Sequence, residues 1–230
     1  MVTPVGCEKV CVVQSYSGVV CPRRLKSKGM SKEVSFKIKL SDAEQKILEA
    51  KIEEVGAPLI AAIDSGRPYE IANFLTKNYH QREVARRIYE AIYKAYFEHE
   101  DWVNAHFSLS RLLELYYRDR DQANNYEVSK QICAQMISIE SKVRDHMVSD
   151  HRYLVESIKE RNTKFGLHQK EPAFSFPAHA GYRQLCIIFE KEGRFEDARQ
   201  LCFDAKLNGW NGDWDNRIER LTKKLEKDSK

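Results

Sequence analysis

Residues 41 to 230 predict an all-α fold of antiparallel helical hairpins, a short bundle or solenoid closed by a capping helix at its C-terminus. Three observations carry that expectation. Apolar residues recur every three or four positions through successive segments, a capping box opens the first of them, and several connections are short enough to force neighbouring helices antiparallel. The 31% charged and 42% apolar fractions are globular values, and a chain of this length buries one substantial core or two small ones without disulfides or metals. No run approaches the roughly 18 apolar residues of a membrane span, so a soluble protein with no membrane partner is expected.

Residues 1–40 read as an N-terminal extension. Within 1–29, Lys9, Arg23, Arg24, Lys26 and Lys28 against Glu8 carry the whole net charge of +4, which leaves the remainder formally neutral. Cys7, Cys11 and Cys21 lie there among Val, Gly and Pro without a helical or strand period. The segment is expected to be disordered or to lie upstream of a true start at Met30. Its basic residues follow its weak apolar stretch, the reverse of a secretory signal. Val34, Phe36, Ile38 and Leu40 then alternate with polar residues as a half-buried strand does, with no partner strand in view.

The helices follow in order. Ser41-Asp42-Ala43-Glu44 is the capping box, and Ile47, Leu48, Ile52 and Val55 continue at helical spacing to Gly56 and Pro58, which favour a break. A short second helix runs to Ser65-Gly66 and a third covers Tyr69 to Asn78. From Gln81 to Glu100, Val84, Ile88, Ile92 and Tyr96 mark one face, widened by Ala85, Tyr89, Tyr93 and Phe97. After Glu100-Asp101, Trp102 to Arg118 turns Ala105, Leu109, Leu112 and Tyr116 inward, so these two helices form a hairpin. Residues 121–161 hold neither Gly nor Pro and keep Val128, Ile132, Met136, Ile139, Val143, Met147, Leu154 and Ile158 in a mixed three-and-four spacing. They form one long helix or two broken near Asp150. Residues 163–176, with Gly166 and Pro172, are an irregular connection that Phe165, Phe174 and Phe176 pin to the helices. The expected division is a helical region over 41–162 and a second over 163–230.

From His179 to Gly209 two apolar helices meet at Glu192-Gly193-Arg194. The first offers Tyr182, Leu185, Cys186 and Phe189, the second Phe195, Ala198 and Ala205. This resembles a tetratricopeptide repeat, in which glycine ends the first helix and small residues on the second let the pair approach closely. Trp210 stands where that pattern expects proline. Asp213 then caps a last helix bearing Ile218, Leu221 and Leu225, as the end of a solenoid requires. A weaker copy spans Ile88 to Leu115, without glycine at its turn.

The resemblance implies an interaction scaffold: a concave face built from first helices that holds a peptide or protein partner. By that analogy the partner-facing residues are Arg87, Glu90, Lys94 and Phe97 in the weak copy and Arg183, Ile187, Glu190 and Lys191 in the strong one. Ile187 occupies a place where some relatives carry a polar residue that clamps a terminal carboxylate, so no such clamp is expected. The alternative partners are nucleic acid, through a basic stripe joining Arg86, Arg87 and Lys94 or Arg118 and Arg120, and a second copy of the chain. A third reading makes the chain an accessory subunit of an enzyme.

No catalytic, cofactor or metal site is expected. His146 and Asp150 share a helix face, but His151 turns away from them, and His99 and His106 flank a turn among acids without forming a ligand set. Glycine loops for phosphate and nucleophile motifs are missing from the sequence. Cys133, Cys186 and Cys202 fall on apolar stripes as small core residues, a usage suited to a reducing cytoplasm.

Overall fold

The computed structural model describes residues 11–14, 35–38, 40–122 and 124–228. Most of the expected N-terminal extension, including Met30, lies outside these residues. Ten α-helices run through the described residues, together with one pair of short strands. The chain divides into two compact units, Met1–Ser108 and Leu109–Lys230, a division that falls inside the fifth helix.

In the first unit the strand read from alternation is present, as β2 (Ser35–Ile38), and it has a partner. It pairs antiparallel with β1 (Cys11–Gln14), Cys11 opposite Ile38 and Gln14 opposite Ser35. The partner was illegible because Cys-Val-Val-Gln does not alternate. Helix α1 (Asp42–Val55) opens on the expected capping box: the Glu44 N–H bonds Ser41 Oγ at 3.4 Å, and the Ser41 N–H bonds Glu44 Oε2 at 2.7 Å. Gly56 ends it, and α2 (Ala57–Asp64) starts with Pro58 in its first turn, where the missing N–H costs nothing.

Helix α3 covers Pro68–Phe74, four residues short of the expected end. Asn78 is spent elsewhere: its side chain accepts the Gln81 N–H at 2.9 Å and caps α4 (Tyr79–Glu98). Most of the expected stripe of α4 lies in the core of this unit, with Val84, Ala85, Ile88, Tyr89 and Ile92 buried, whereas Tyr93 and Tyr96 are half-buried and Phe97 is exposed. Each large side chain removed from water there contributes about 1.5–3 kcal/mol. Tyr89 keeps its hydroxyl satisfied on Asn73 Oδ1 at 2.7 Å. Helix α5 (Trp102–Arg118) has the expected bounds.

The turn between α4 and α5 has a defined geometry. Glu100 sits at φ 56°, the Asp101 N–H reaches Tyr96 O at 2.9 Å and the Glu100 N–H reaches Phe97 O at 3.1 Å. These two bonds are those of a Schellman motif, with glutamate in the left-handed position that glycine normally takes.

The second unit carries α6 (Asn125–Ser138), α7 (Glu140–Phe165), α8 (Ala180–Lys191), α9 (Phe195–Leu207) and α10 (Trp214–Asp228). The break in the glycine-free stretch falls at Ile139, not near Asp150. Ser138 Oγ donates to Gln135 O at 2.8 Å, a local bond that competes with the helical ladder at that end. Met136, Ile139 and Val143 stay buried through the break. Helix α8 packs on α6 and on α9, and α9 packs on α10.

The α6–α8 approach is close. A Cβ on Gly181 would stand 2.9 Å from Met136 Cβ and 3.1 Å from Cys133 O, so only glycine permits this spacing. The α8–α9 turn repeats the α4–α5 geometry: Gly193 has φ 74°, the Arg194 N–H bonds Phe189 O at 2.9 Å and the Gly193 N–H bonds Glu190 O at 3.4 Å. Cys133, Cys186 and Cys202 are all buried free thiols.

The connection after α7 is pinned as its aromatics suggested, with one exception. Phe174 meets His151 at 4.9 Å and Phe176 at 4.9 Å, and Phe176 meets Trp210 at 5.3 Å. Phe165 is instead 63% exposed. The tryptophan that replaces the repeat's proline is the anchor of this corner. Trp210 is buried, contacts His179 at 4.7 Å and donates its indole N–H to Glu140 Oε2 at 2.5 Å. Trp214 donates in turn to Trp210 O at 2.7 Å, and Leu221 of α10 is fully buried.

Candidate functional site

The sequence-derived candidates fall into two sets, one in each unit. In the first, Arg87, Glu90, Lys94 and Phe97 follow one another at three- and four-residue steps along one face of α4. Arg87 is engaged by Glu44 of α1. Burial by itself would raise the Glu44 carboxyl, but the bonds from Ser41 and Arg87 outweigh it and hold the group below its ordinary value. Phe97, 40% exposed, packs on Tyr93 at 5.6 Å and edge-on against Trp102 at 5.2 Å. Glu90 is half-buried and Lys94 exposed.

In the second unit, Arg183, Ile187, Glu190 and Lys191 share one face of α8. Arg183 and Lys191 are exposed, while Ile187 and Glu190 are half-buried. Lys191 Nζ donates to the Tyr117 hydroxyl at 2.9 Å and lies 5.4 Å from the centre of that ring, which holds the ammonium in place.

Glu190 is the centre of the face. Its carboxylate takes Arg220 Nη2 at 2.7 Å, Lys224 Nζ at 3.5 Å and Arg217 Nη1 at 3.8 Å, all from α10. Arg217 is buried and also donates from Nε to Asp213 at 2.7 Å. That bond pulls the Asp213 carboxyl below its ordinary value, with the more distant Arg183 adding to the effect. Beneath Glu190, Cys186 Sγ lies 3.7 Å from Oε1 and 3.3 Å from Cys202 Sγ. The hydrogen bond to Cys186 and burial push the Cys202 thiol far up, so it stays protonated.

Two carboxylates, Glu190 and Asp213, thus meet three cations of α10, Arg217, Arg220 and Lys224, while Arg183 and Lys191 lie on the same face of α8 as Glu190. Two neighbouring rings already carry cations: Arg194 covers Phe189 at 3.9 Å and Lys224 covers Phe195 at 4.8 Å.

The α10 cations were legible in principle. Arg217, Arg220 and Lys224 follow one another at helical spacing, but a solvated capping helix has the same pattern, and only the fold places Glu190 opposite them. Asp213 is close to its expected role: its carbonyl accepts the first helical bond, from the Arg217 N–H at 3.1 Å, while its carboxylate takes the Arg217 side chain.

A shallow depression of about 590 Å³ lies near the corner, lined by Phe174, Phe176, Lys206, Trp210, Trp214 and Asp215 among others. Both indole N–H groups are spent inside the protein. Lys206 and Asp215 are joined at 2.5 Å.

Among the described residues no three His, Cys, Asp or Glu side chains converge as a metal site requires. His146 bonds Lys142 O at 3.0 Å, and the His151 ring lies on Phe174. His106, by contrast, is buried in the first unit, and burial pushes its imidazole down to about 4. No described helix is long and apolar enough to cross a membrane. The helices pack in neighbouring pairs, an arrangement compatible with a helical repeat. No family model, curated protein or solved structure matches the chain.

Proposed function

We propose that this protein is a non-catalytic helical-repeat scaffold, divergent from the tetratricopeptide pattern, whose second unit holds a peptide or protein segment against α8 and α10. The observation that carries the reading is the ordered, charge-unbalanced face around Glu190, with Ile187 supplying apolar surface between Arg183 and Lys191. A face of fixed charges around a small apolar centre suits selective recognition of a partner: the charges set orientation and encounter rate, the buried contact sets lifetime. The shared turn geometry at Glu100 and Gly193 supports a common repeat origin for the two hairpins. Buried free thiols fit work in a reducing compartment such as the cytoplasm.

The test is capture from a native extract at two salt concentrations, comparing wild type with an Arg183→Glu, Lys191→Glu double variant of unchanged helicity. The reading predicts a protein partner retained by wild type and lost by the variant. Identical protein partners on both, or retention of salt-labile nucleic acid alone, contradicts it.

A further inference from the structure

The cations of α10 are drawn toward α8 by one carboxylate. Arg220 and Lys224 are each partly exposed, 49% and 41% by side chain, and both reach Glu190, which is itself only 14% exposed. Arg217 behind them is fixed by Asp213. One carboxylate therefore faces two partly exposed cations and cannot neutralise both, so charge is left over for an outside carboxylate.

We infer that this face takes an acidic stretch of a partner protein, whose carboxylates engage Arg220 and Lys224 in competition with Glu190. Glu190 is then the internal stand-in for the partner's charge. The inference rests on the scaffold reading and adds the chemistry of its ligand.

Two features favour carboxylates of a polypeptide over a nucleic acid. A phosphate backbone needs a continuous run of cations, and here Glu190 and Asp213 interrupt the run. Binding of single strands also needs free ring faces for stacking, whereas Phe189 and Phe195 are each covered by a cation. Ile187, half-buried on the same face of α8, gives a contact for an apolar residue within an acidic segment. Arg183 and Lys191 extend the positive surface along α8.

The test is fluorescence anisotropy on the full chain with three labelled probes: a peptide of repeated Glu-Asp-Leu-Glu, its uncharged Gln-Asn-Leu-Gln counterpart, and oligouridylate. Wild type is expected to bind the acidic peptide and not the uncharged one, with affinity falling as salt rises. Arg220→Glu with Lys224→Glu is expected to weaken it about tenfold or more, and Glu190→Gln to tighten it about threefold by removing the competing charge. Circular dichroism checks that each variant keeps its helices.

The gain from Glu190→Gln separates competition from a merely structural role, which predicts a loss. Binding weakened by Glu190→Gln overturns the inference, as does preference for oligouridylate or no acidic binding by either folded form. If the acidic peptide fails while a partner is still captured through Arg183 and Lys191, the acidic assignment falls and the scaffold reading stands.

Discussion

Two turns with the same geometry and different residues give a pair of substitutions that should act in opposite directions. Gly193 and Glu100 occupy equivalent positions after α8 and α4, at φ 74° and φ 56°, each followed by a residue whose N–H closes the turn on a carbonyl five residues back. A side chain in left-handed backbone costs about 1–2 kcal/mol, and glycine's extra freedom in the unfolded chain offsets about 0.5–1 kcal/mol of that difference. Gly193→Ala should therefore lose about 0.5–1 kcal/mol and Glu100→Gly should gain about as much. No atom lies within 4 Å of a Cβ built on Gly193, so a steric clash does not enter its loss. The assay is urea unfolding followed by hydrogen exchange with mass spectrometry, which reports peptides of 1–108 and 109–230 separately. With a slope of about 1–3 kcal/mol per molar, the midpoints move by about 0.2–1 M in opposite senses. A destabilised Glu100→Gly, or a Gly193→Ala indistinguishable from wild type, refutes the turn argument.

The close α6–α8 approach predicts that Gly181→Ala destabilises the second unit by about 1–3 kcal/mol, because the new methyl meets Met136 Cβ and Cys133 O, neither of which can step aside without moving α6. An unchanged urea midpoint for residues 109–230 contradicts that packing. His106, depressed to about 4 against an ordinary 6.5, binds fewer protons folded than unfolded between those values. Its contribution to the first unit is therefore present above pH 6.5 and lost as pH falls toward 4, about 2 kcal/mol of it by pH 5. Glu44, held below its ordinary 4.5, adds its loss only at lower pH. Stability of residues 1–108 should fall from pH 7 to pH 5 in wild type and much less in His106→Gln, and equal slopes in the two proteins contradict the assignment.

Where local chemistry decides the structure, the residues foretold it. Ser41 and Glu44 cap α1, Gly193 closes α8, and Val84, Ile88 and Ile92 of the α4 stripe are buried in its unit, because each depends on neighbours three or four positions away. What escaped depends on distant residues. The strand at Cys11–Gln14 is defined by Ile38 and its neighbours across the ladder, not by its own pattern. The break at Ile139 is the exception, a local one: it involves no glycine or proline, only a serine bond to the preceding turn, which leaves the apolar spacing unchanged. Trp210 looked like a departure from a repeat because its role comes from Glu140, Phe176 and His179, remote in sequence. The same division holds at the site. The stripe of Arg183, Ile187 and Lys191 is written in the spacing of α8, while the engagement of Glu190 by Arg217, Arg220 and Lys224 exists only once α10 has docked.

The central claim, that the Glu190 face of the second unit holds a protein partner, is tested most directly by site-specific photocrosslinking. A benzophenone amino acid replaces Ile187 on that face in one sample, and Phe203, 45% exposed on α9, in another. The account predicts a discrete protein adduct from position 187 in native extract, abolished by Arg220→Glu with Lys224→Glu, and none from position 203. Adducts equally strong from 203, or none from 187 in a folded chain, contradict it.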